Sequence, residues 1–449
     1  MSRIVVATGD VIGARMAGPA IRAWAIADAL AADHDVQLVS HVGADASSPR
    51  FAVRCVGEPE LRELEQWMDV LVMQGSLLHE YPFLRETGKV VVADVYDPFH
   101  LELLEQARDE GEERRRDIVH NAVVVLNDQL RRGDFFLCAS DKQRDFWLGA
   151  LAALGRVNSA SYDADETLRS LLAVAPFGLP DEPPVRRRHG IRGALPGIGD
   201  TEKVLLWGGG IYNWFDPLTL VRAVDRLRGD VRLVFLGGAH PNPRVPEMRM
   251  AVAARELAGS LGVLGSHVVF NDGWVPYDER ADWLLDADAG VSTHLDHVET
   301  AFSFRTRLLD YLWAGLPIVC TAGDSLAALV EQEGLGLTVP AGDIDALAAA
   351  LDRVLHDAEL AASCRAAVAR VAQRFHWGQV LAPLVDFCRD PHRAPDLLDA
   401  DLVGRLTPPL SVIGHPPTGL RANVALARDY LRQGGPRLVA KKAWGRLTK

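Results

Sequence analysis

The sequence predicts an α/β protein made of two doubly wound lobes facing a central cleft. Three observations carry this reading. At 449 residues the chain is too long for a single hydrophobic core. Short apolar runs rich in β-branched residues alternate with helical patterns, which is the grammar of a parallel sheet covered on both faces. That grammar stops in a Pro/Gly-rich stretch at residues 179–200 and then starts again. An apolar fraction of 48% and a charged fraction of 24% are ordinary for a soluble chain, and a net charge of −12 argues against nucleic-acid binding. No apolar run approaches the ~18 residues of a spanning helix. The N-terminus runs straight into a strand rather than a signal peptide, so a cytoplasmic protein is expected. The five cysteines are scattered without a Cys-x-x-Cys, as suits buried thiols in a reducing compartment.

Taken in order, Arg3–Thr8 is the first strand. A loop with Gly9, Gly13, Arg15 and Gly18 follows, then a helix over about 19–33 with proline in its first turn and Ile21, Trp24 and Ala25 on one side. The loop lacks the Gly-x-Gly-x-x-Gly of dinucleotide binders. Apolar runs at 36–39, 69–73, 90–93 and 135–139 supply further strands, and the longest helical pattern covers 100–130. After the linker, 203–207 is a strand ending in Gly208-Gly-Gly210, and Asp216 opens a helix. Residues 231–236, 267–270, 287–292 and 316–320 read as strands, with helices over 275–285 and 303–314. Alanine-rich helices follow at 344–355 and 358–374, and 375–388 reads as one more. Residues 390–419 are rich in Pro, Asp and His and read as irregular. Residues 420–433 are helical and 438–447 short and basic, with Trp444. From 419 to 449 eight Lys/Arg face one Asp, a local charge of +7, so the preceding residues carry −19. Such a tail suits an anionic membrane surface, the acidic body of its own protein, or solvent.

The sharpest signal is the segment 299–320. Its spacing predicts a helix over 303–314, capped by Ser303 and stopped by Gly315 and Pro317. Arg305 and Arg307 fall in the first turn, where the helix dipole disfavours cations and open N–H groups favour anions, so the pair suits a phosphate. Ser303, Arg307, Asp310 and Ala314 share one stripe, and Phe304, Leu308, Tyr311 and Leu312 another. Taken alone, the segment equally fits an amphipathic helix with an Arg307–Asp310 pair.

Four segments together resemble the two-lobed GT-B glycosyltransferases, specifically the retaining family-4-like enzymes, over residues 1–390. Val-Ala-Pro-Phe-Gly-Leu-Pro at 174–180 is similar to that family's interlobe junction, and Val-Phe-Asn-Asp-Gly-Trp-Val-Pro at 269–276 to the loop under the nucleotide base. Residues 303–319 are similar to its Ser-x-Pro-x-Lys-x-x-Glu-Tyr-x-x-x-Gly-x-Pro-Val-Val, and Arg-Phe-His-Trp at 374–377 to the motif before its last helix. The resemblance implies two Rossmann-like lobes: 1–178 on the acceptor side and 201–375 on the donor side, a linker at 179–200, a crossing helix at 376–391, and a Pro-rich then basic tail at 392–449. It implies transfer of a sugar from a nucleoside diphosphate sugar to an acceptor hydroxyl, with retention at the anomeric carbon and no cofactor or metal. The acceptor, whether glycan, lipid-linked sugar or small molecule, is left open. Peripheral contact with the inner face of the membrane rests on the tail alone.

The resemblance also assigns residues. Asp310 stands where the family binds ribose with Glu, and Arg307 where it has Lys; Arg305 joins Arg307 on the diphosphate. Ser303, Phe304, Trp274, Val275, Gly209 and Gly210 line the donor side. Gly18 and Arg15 meet the diphosphate or the acceptor, and His100 or Asp97 sits near the reacting sugar. His294 contacts sugar hydroxyls. Two departures stand out. Phe302 occupies the position of a family glutamate, with Glu299 three residues earlier as its replacement, and the loop 208–216 lacks the family's cations. An epimerase or phosphorylase-like enzyme of the same fold, or a degenerate binding subunit, remain alternatives.

Overall fold

The computed structural model describes residues 1–14, 16–227, 229–237, 248–273, 275–413 and 431. Two parallel sheets form its frame. The first contains β1 (Arg3–Thr8), β2 (Asp35–Ser40), β3 (Ala52–Cys55), β4 (Val70–Met73), β5 (Val90–Asp94), β6 (Phe135–Cys138) and β7 (Leu172–Val174), in the order β3-β2-β1-β4-β5-β6-β7. The second contains β8 (Lys203–Trp207), β9 (Val231–Phe235), β10 (Val268–Phe270), β11 (Ala289–Ser292), β12 (Ile318–Thr321) and β13 (Gly336–Val339), in the order β10-β9-β8-β11-β12-β13. Alternate residues of one strand feed separate cores: Ile4, Val6, Val70 and Val72 pack on one face of the first sheet, and Val5, Ala7, Leu71 and Met73 on the other. This is why the central strands read as unbroken apolar runs. Strand order reverses between β1 and β4 and between β8 and β11, which opens a ligand crevice at the carboxyl ends of each sheet.

Several expectations need correction. The edge strands β3 and β13 and the short β7 have no long apolar run to reveal them; β3 is largely exposed. The helical pattern over 100–130 is two helices, Phe99–Gln106 and Glu112–Arg132, separated by a 3-10 turn and Gly111. The first helix buries Ala20, Ala23, Ala27 and Leu30, while Ile21 and Trp24 lie at its flank. The pattern over 275–285 yields only a 3-10 turn and the short helix Arg280–Leu284.

The linker is tied down. Asp286 accepts from the backbone N–H groups of Ile191 and Arg192 and pairs with Arg186, and Asp288 pairs with Arg192 and takes the Val204 N–H. The Asp-x-Asp at 286–288 is thus structural. At the junction, Leu179 exchanges backbone hydrogen bonds with Phe375 and Trp377 (2.7 and 3.0 Å). Helix Ala382–Arg389 then returns to the first lobe, stacking Phe387 on Phe135 at 4.3 Å. The stretch after 390 is largely irregular as far as residue 413, as the sequence suggested, apart from the one-turn helices Pro395–Leu398 and Ala400–Val403, but it is docked. Asp396 forms a fully buried pair with Arg156, Arg393 pairs with Asp134, and residues 407–413 follow helix Glu112–Arg132 through Arg131, His120 and Asn121. The expected helix and basic segment of the tail lie outside the described residues. No described helix is long and apolar enough to cross a membrane.

Candidate functional site

The segment 299–320 folds differently from its local pattern. A short helix, Val298–Phe302, is followed by a break, and the next helix runs Thr306–Trp313 with Arg305 at its cap. Ser303 is therefore not the N-cap; it ends the preceding helix, its hydroxyl donating to the Thr300 carbonyl. His297 caps the short helix, its Nδ1 accepting from the Thr300 N–H, so its other nitrogen donates to the Trp214 carbonyl (3.3 Å).

The two arginines have different surroundings. Arg305 is buried and bidentate with buried Glu299 (3.1 and 2.9 Å), with Asp324 3.7 Å from its Nε. Arg307 is buried against the rings of Trp207 and Phe215 (4.4 and 4.5 Å to their centres) and donates to the Gly210 carbonyl (3.0 Å). Its Nη1 has no partner among the described residues. Burial lowers its pKa to about 10, so the guanidinium stays charged at neutral pH. The Arg307–Asp310 pair suggested by spacing does not form; Asp310 accepts from Arg280 instead (3.0 Å), which lies over Tyr277 and Trp313.

The glycine loop after β8 rests on this helix. The buried Tyr311 hydroxyl accepts the Gly208 N–H (2.8 Å) and lies 2.9 Å from the carbonyls of both Leu206 and Val291. A Cβ on Gly290 would come within 2.3 Å of the Tyr311 ring, so a glycine there lets the ring lie flat on β11. Gly209 is exposed with φ +79°, a conformation that turns the backbone outward at little cost only for glycine. Val275 and Phe304 pack at the core's margin, and Trp274 lies outside the described residues.

Across the cleft, Gly18 begins the first helix with open space where a side chain would stand, and Arg15 lies outside the described residues. His100 stacks near Phe146 and Trp147 (5.7 and 6.0 Å), and burial lowers its pKa to about 4. His294 is pushed well below the usual range, by burial first and then by Arg305 and Arg307. Both are neutral at pH 7, and the Nδ1 of each has no described partner. Phe302 packs on Phe146 (4.8 Å), while the Gln143 amide donates to its carbonyl (2.8 Å), so the residue in the family's carboxylate position braces the two lobes against each other.

Sequence reasoning missed several groups. Arg22 is fully buried and bidentate with Asp94 (2.6 and 2.9 Å), fixing the end of β5. His41 pairs with Glu80 (3.1 Å), which also takes the Ser76 hydroxyl; His41 and Ser76 hold Glu80 down to about 2. Gln74, beyond β4, has both amide atoms buried without a described partner. Glu102 and Tyr212 face Asp97 from opposite lobes. Tyr311, adjacent to Asp310 in the motif, was the one with a visible signal; the others depend on distant strand ends meeting.

Residues 202–357 match the family described as Glycosyl transferases group 1. A D-inositol 3-phosphate glycosyltransferase of Xylanimonas cellulosilytica is 31% identical over 217 residues, covering 45% of this chain and 47% of that protein. A phosphatidyl-myo-inositol mannosyltransferase of Mycolicibacterium smegmatis is 28% identical over 146 residues, 32% of this chain and 36% of that protein. The chain thus spans less than half the length of these curated relatives. Among solved structures, sucrose-phosphate synthase of Thermosynechococcus elongatus aligns with a TM-score of 0.63 at 17% identity, over 87% of this chain and 98% of its own. Anabaena HepE in complex with UDP and glucose aligns with a TM-score of 0.64 at 13% identity, over 87% and 100%. The resemblance to two-lobed glycosyltransferases holds in fold over 87% of the chain, and in sequence over residues 202–357, where the family model matches.

Proposed function

We propose that the chain is a retaining glycosyltransferase that moves a hexosyl group from a nucleoside diphosphate sugar to an acceptor hydroxyl. The observation that supports this most is the Arg307 guanidinium. It is fixed against Trp207 and Phe215, bound to the glycine loop, charged, and left with a nitrogen that has no partner among the described residues, beside the β8–β11 crevice. A departing diphosphate gains most from a cation already held in place, because no reorganisation is then needed as charge develops. The fork geometry allows two parallel bonds to phosphate oxygens.

Asp310 commits one oxygen to Arg280, which leaves the other for ribose hydroxyls. Glu299 spends both oxygens on Arg305. It therefore braces the loop under the donor rather than attacking the sugar, in keeping with departure and attack on one face. Neutral His100 and His294 suit contacts with sugar hydroxyls. On the first lobe, His41, Glu80, Ser76 and Gln74 supply hydrogen-bonding groups for the acceptor. No cofactor takes part in this scheme. The Anabaena structure holds UDP and glucose, and the Xylanimonas relative is named for an inositol phosphate, so these chemistries are the first probes.

Calorimetric titration with UDP, GDP and TDP, followed by product analysis of the anomeric linkage, tests the reading. One nucleoside diphosphate is expected to bind, and Arg307→Ala to weaken it. Failure of all three would favour a non-catalytic binding subunit, the reading that Phe302 and the mutual pairing of Glu299 and Arg305 suggest.

A further inference from the structure

Asp310 is oriented by a residue 30 positions earlier in the chain. Its Oδ1 accepts from the Arg280 Nε (3.0 Å), while Arg307, on the same helix as Asp310, turns to the Gly210 carbonyl. The two partners differ in how they are held. Arg280 is 7% exposed, whereas the Asp310 side chain is 33% open. The guanidinium also donates through Nη1 to the Tyr277 carbonyl (2.7 Å). It lies over two rings, 3.5 Å from the centre of Tyr277 and 4.1 Å from that of Trp313. The Trp313 indole N–H in turn donates to the Glu182 carbonyl of the linker (2.8 Å). A cation fixed at so many points sets the direction of a half-open carboxylate that would otherwise exchange among rotamers.

The seat of Arg280 is built from the linker. Arg280 opens the short helix Arg280–Leu284, and Asp282 on that helix accepts the backbone N–H groups of Arg187 and Arg188 (2.7 and 3.2 Å). The Asp282 carbonyl takes the Gly190 N–H (3.2 Å), and a Cβ on Gly190 would come within 2.8 Å of the Trp283 ring, so helix and linker touch closely. An ion pair with one partner this exposed adds little to stability. Its contribution here is direction, passed from the linker through Arg280 to the Asp310 carboxylate.

We propose that Arg280 is a positioning residue: through Asp310 it sets how strongly the site prefers a nucleoside diphosphate carrying its ribose hydroxyls over one that lacks them. This rests on the reading of Asp310 as the ribose contact. A hydroxyl donating to a well-aimed carboxylate oxygen makes a strong, charge-assisted bond, and such a bond weakens steeply as its angle closes. An Asp310 freed from Arg280 keeps its charge and loses its aim. The diphosphate, held by Arg307 and the glycine loop, does not depend on Arg280.

Calorimetry on the full chain tests it, using the tightest binder among UDP, GDP and TDP and the 2′,3′-dideoxy counterpart of that binder. Wild type is expected to bind the parent at least about tenfold more tightly than the counterpart. Arg280→Met keeps the packing on both rings but donates nothing to Asp310. It should bring the ratio to about one by weakening the parent alone, the dideoxy affinity staying as in wild type. Arg280→Lys keeps a cation beside Asp310 and should fall between the two; it carries the test if the methionine variant does not fold. A ratio that the substitutions leave unchanged, or an equal loss of affinity for both ligands, overturns the positioning role and leaves the proposed transfer standing. A wild type that binds parent and counterpart alike overturns it too. Binding of none of the three diphosphates overturns both.

Discussion

Arg307 and Arg305 are two residues apart and alike in sequence, yet the structure gives them different tasks. Under the proposed function, Arg307→Ala removes a fixed cation from the diphosphate site; turnover should then fall about a hundredfold and the affinity for the nucleoside diphosphate with it, as read by steady-state kinetics and calorimetry. Arg307→Lys keeps the charge but loses the planar stacking on Trp207 and Phe215, and should recover only part. Glu299→Ala, by contrast, takes from the buried Arg305 its bidentate partner and leaves only Asp324, 3.7 Å from its Nε. It should cost about 3–5 kcal/mol of stability in a urea titration of the second lobe. The sequence displayed the identities of Arg307 and Asp310 but not their partners. Local spacing offered each to the other, whereas Arg280, remote in sequence, takes Asp310, and the Gly210 carbonyl takes Arg307. Partner choice was settled by where β8, β11 and the 277–284 segment end in space, which no window of sequence records.

At the level of elements, the Thr306–Trp313 helix and the glycine loop act as one body because Tyr311 reaches from the helix to β8 and β11. Tyr311→Phe leaves the Gly208 N–H and two carbonyls without this hydroxyl. It should cost about 1–3 kcal/mol and raise the donor KM more than it lowers kcat, since the loop loosens while Arg307 remains. Gly290→Ala drives a methyl into the Tyr311 ring and should destabilise further, seen as a lower melting temperature. Central strands and long helices were readable because both sheet faces are buried and the apolar runs are continuous. Edge strands were not, since β3 has little to bury. The helix start at 303 was misplaced because Ser303 is a good cap in isolation, whereas it ends the preceding helix and Arg305 caps the next.

At the scale of the whole molecule, the two-lobed plan was legible from the restart of the strand–helix alternation, but the docking of 390–413 was not. That stretch is polar and proline-rich, and it is held by partners hundreds of residues away. Asp396→Ala leaves Arg156 buried without its carboxylate. It should cost the first lobe about 3–5 kcal/mol, measured by denaturant titration, and should release the 390–413 stretch to limited proteolysis. The same docking has a consequence for biosynthesis. The second lobe is one uninterrupted piece of chain, but the first is finished only when Phe387 stacks on Phe135 and Asp396 reaches Arg156. During translation, the half made first must therefore wait, with Phe135 and the Arg156 pocket uncovered, until the half made second has emerged behind it. The order of synthesis and the order of completion are reversed, and a chain cut between the last helix of the second lobe and Phe387 is left with that lobe whole and the first one unfinished.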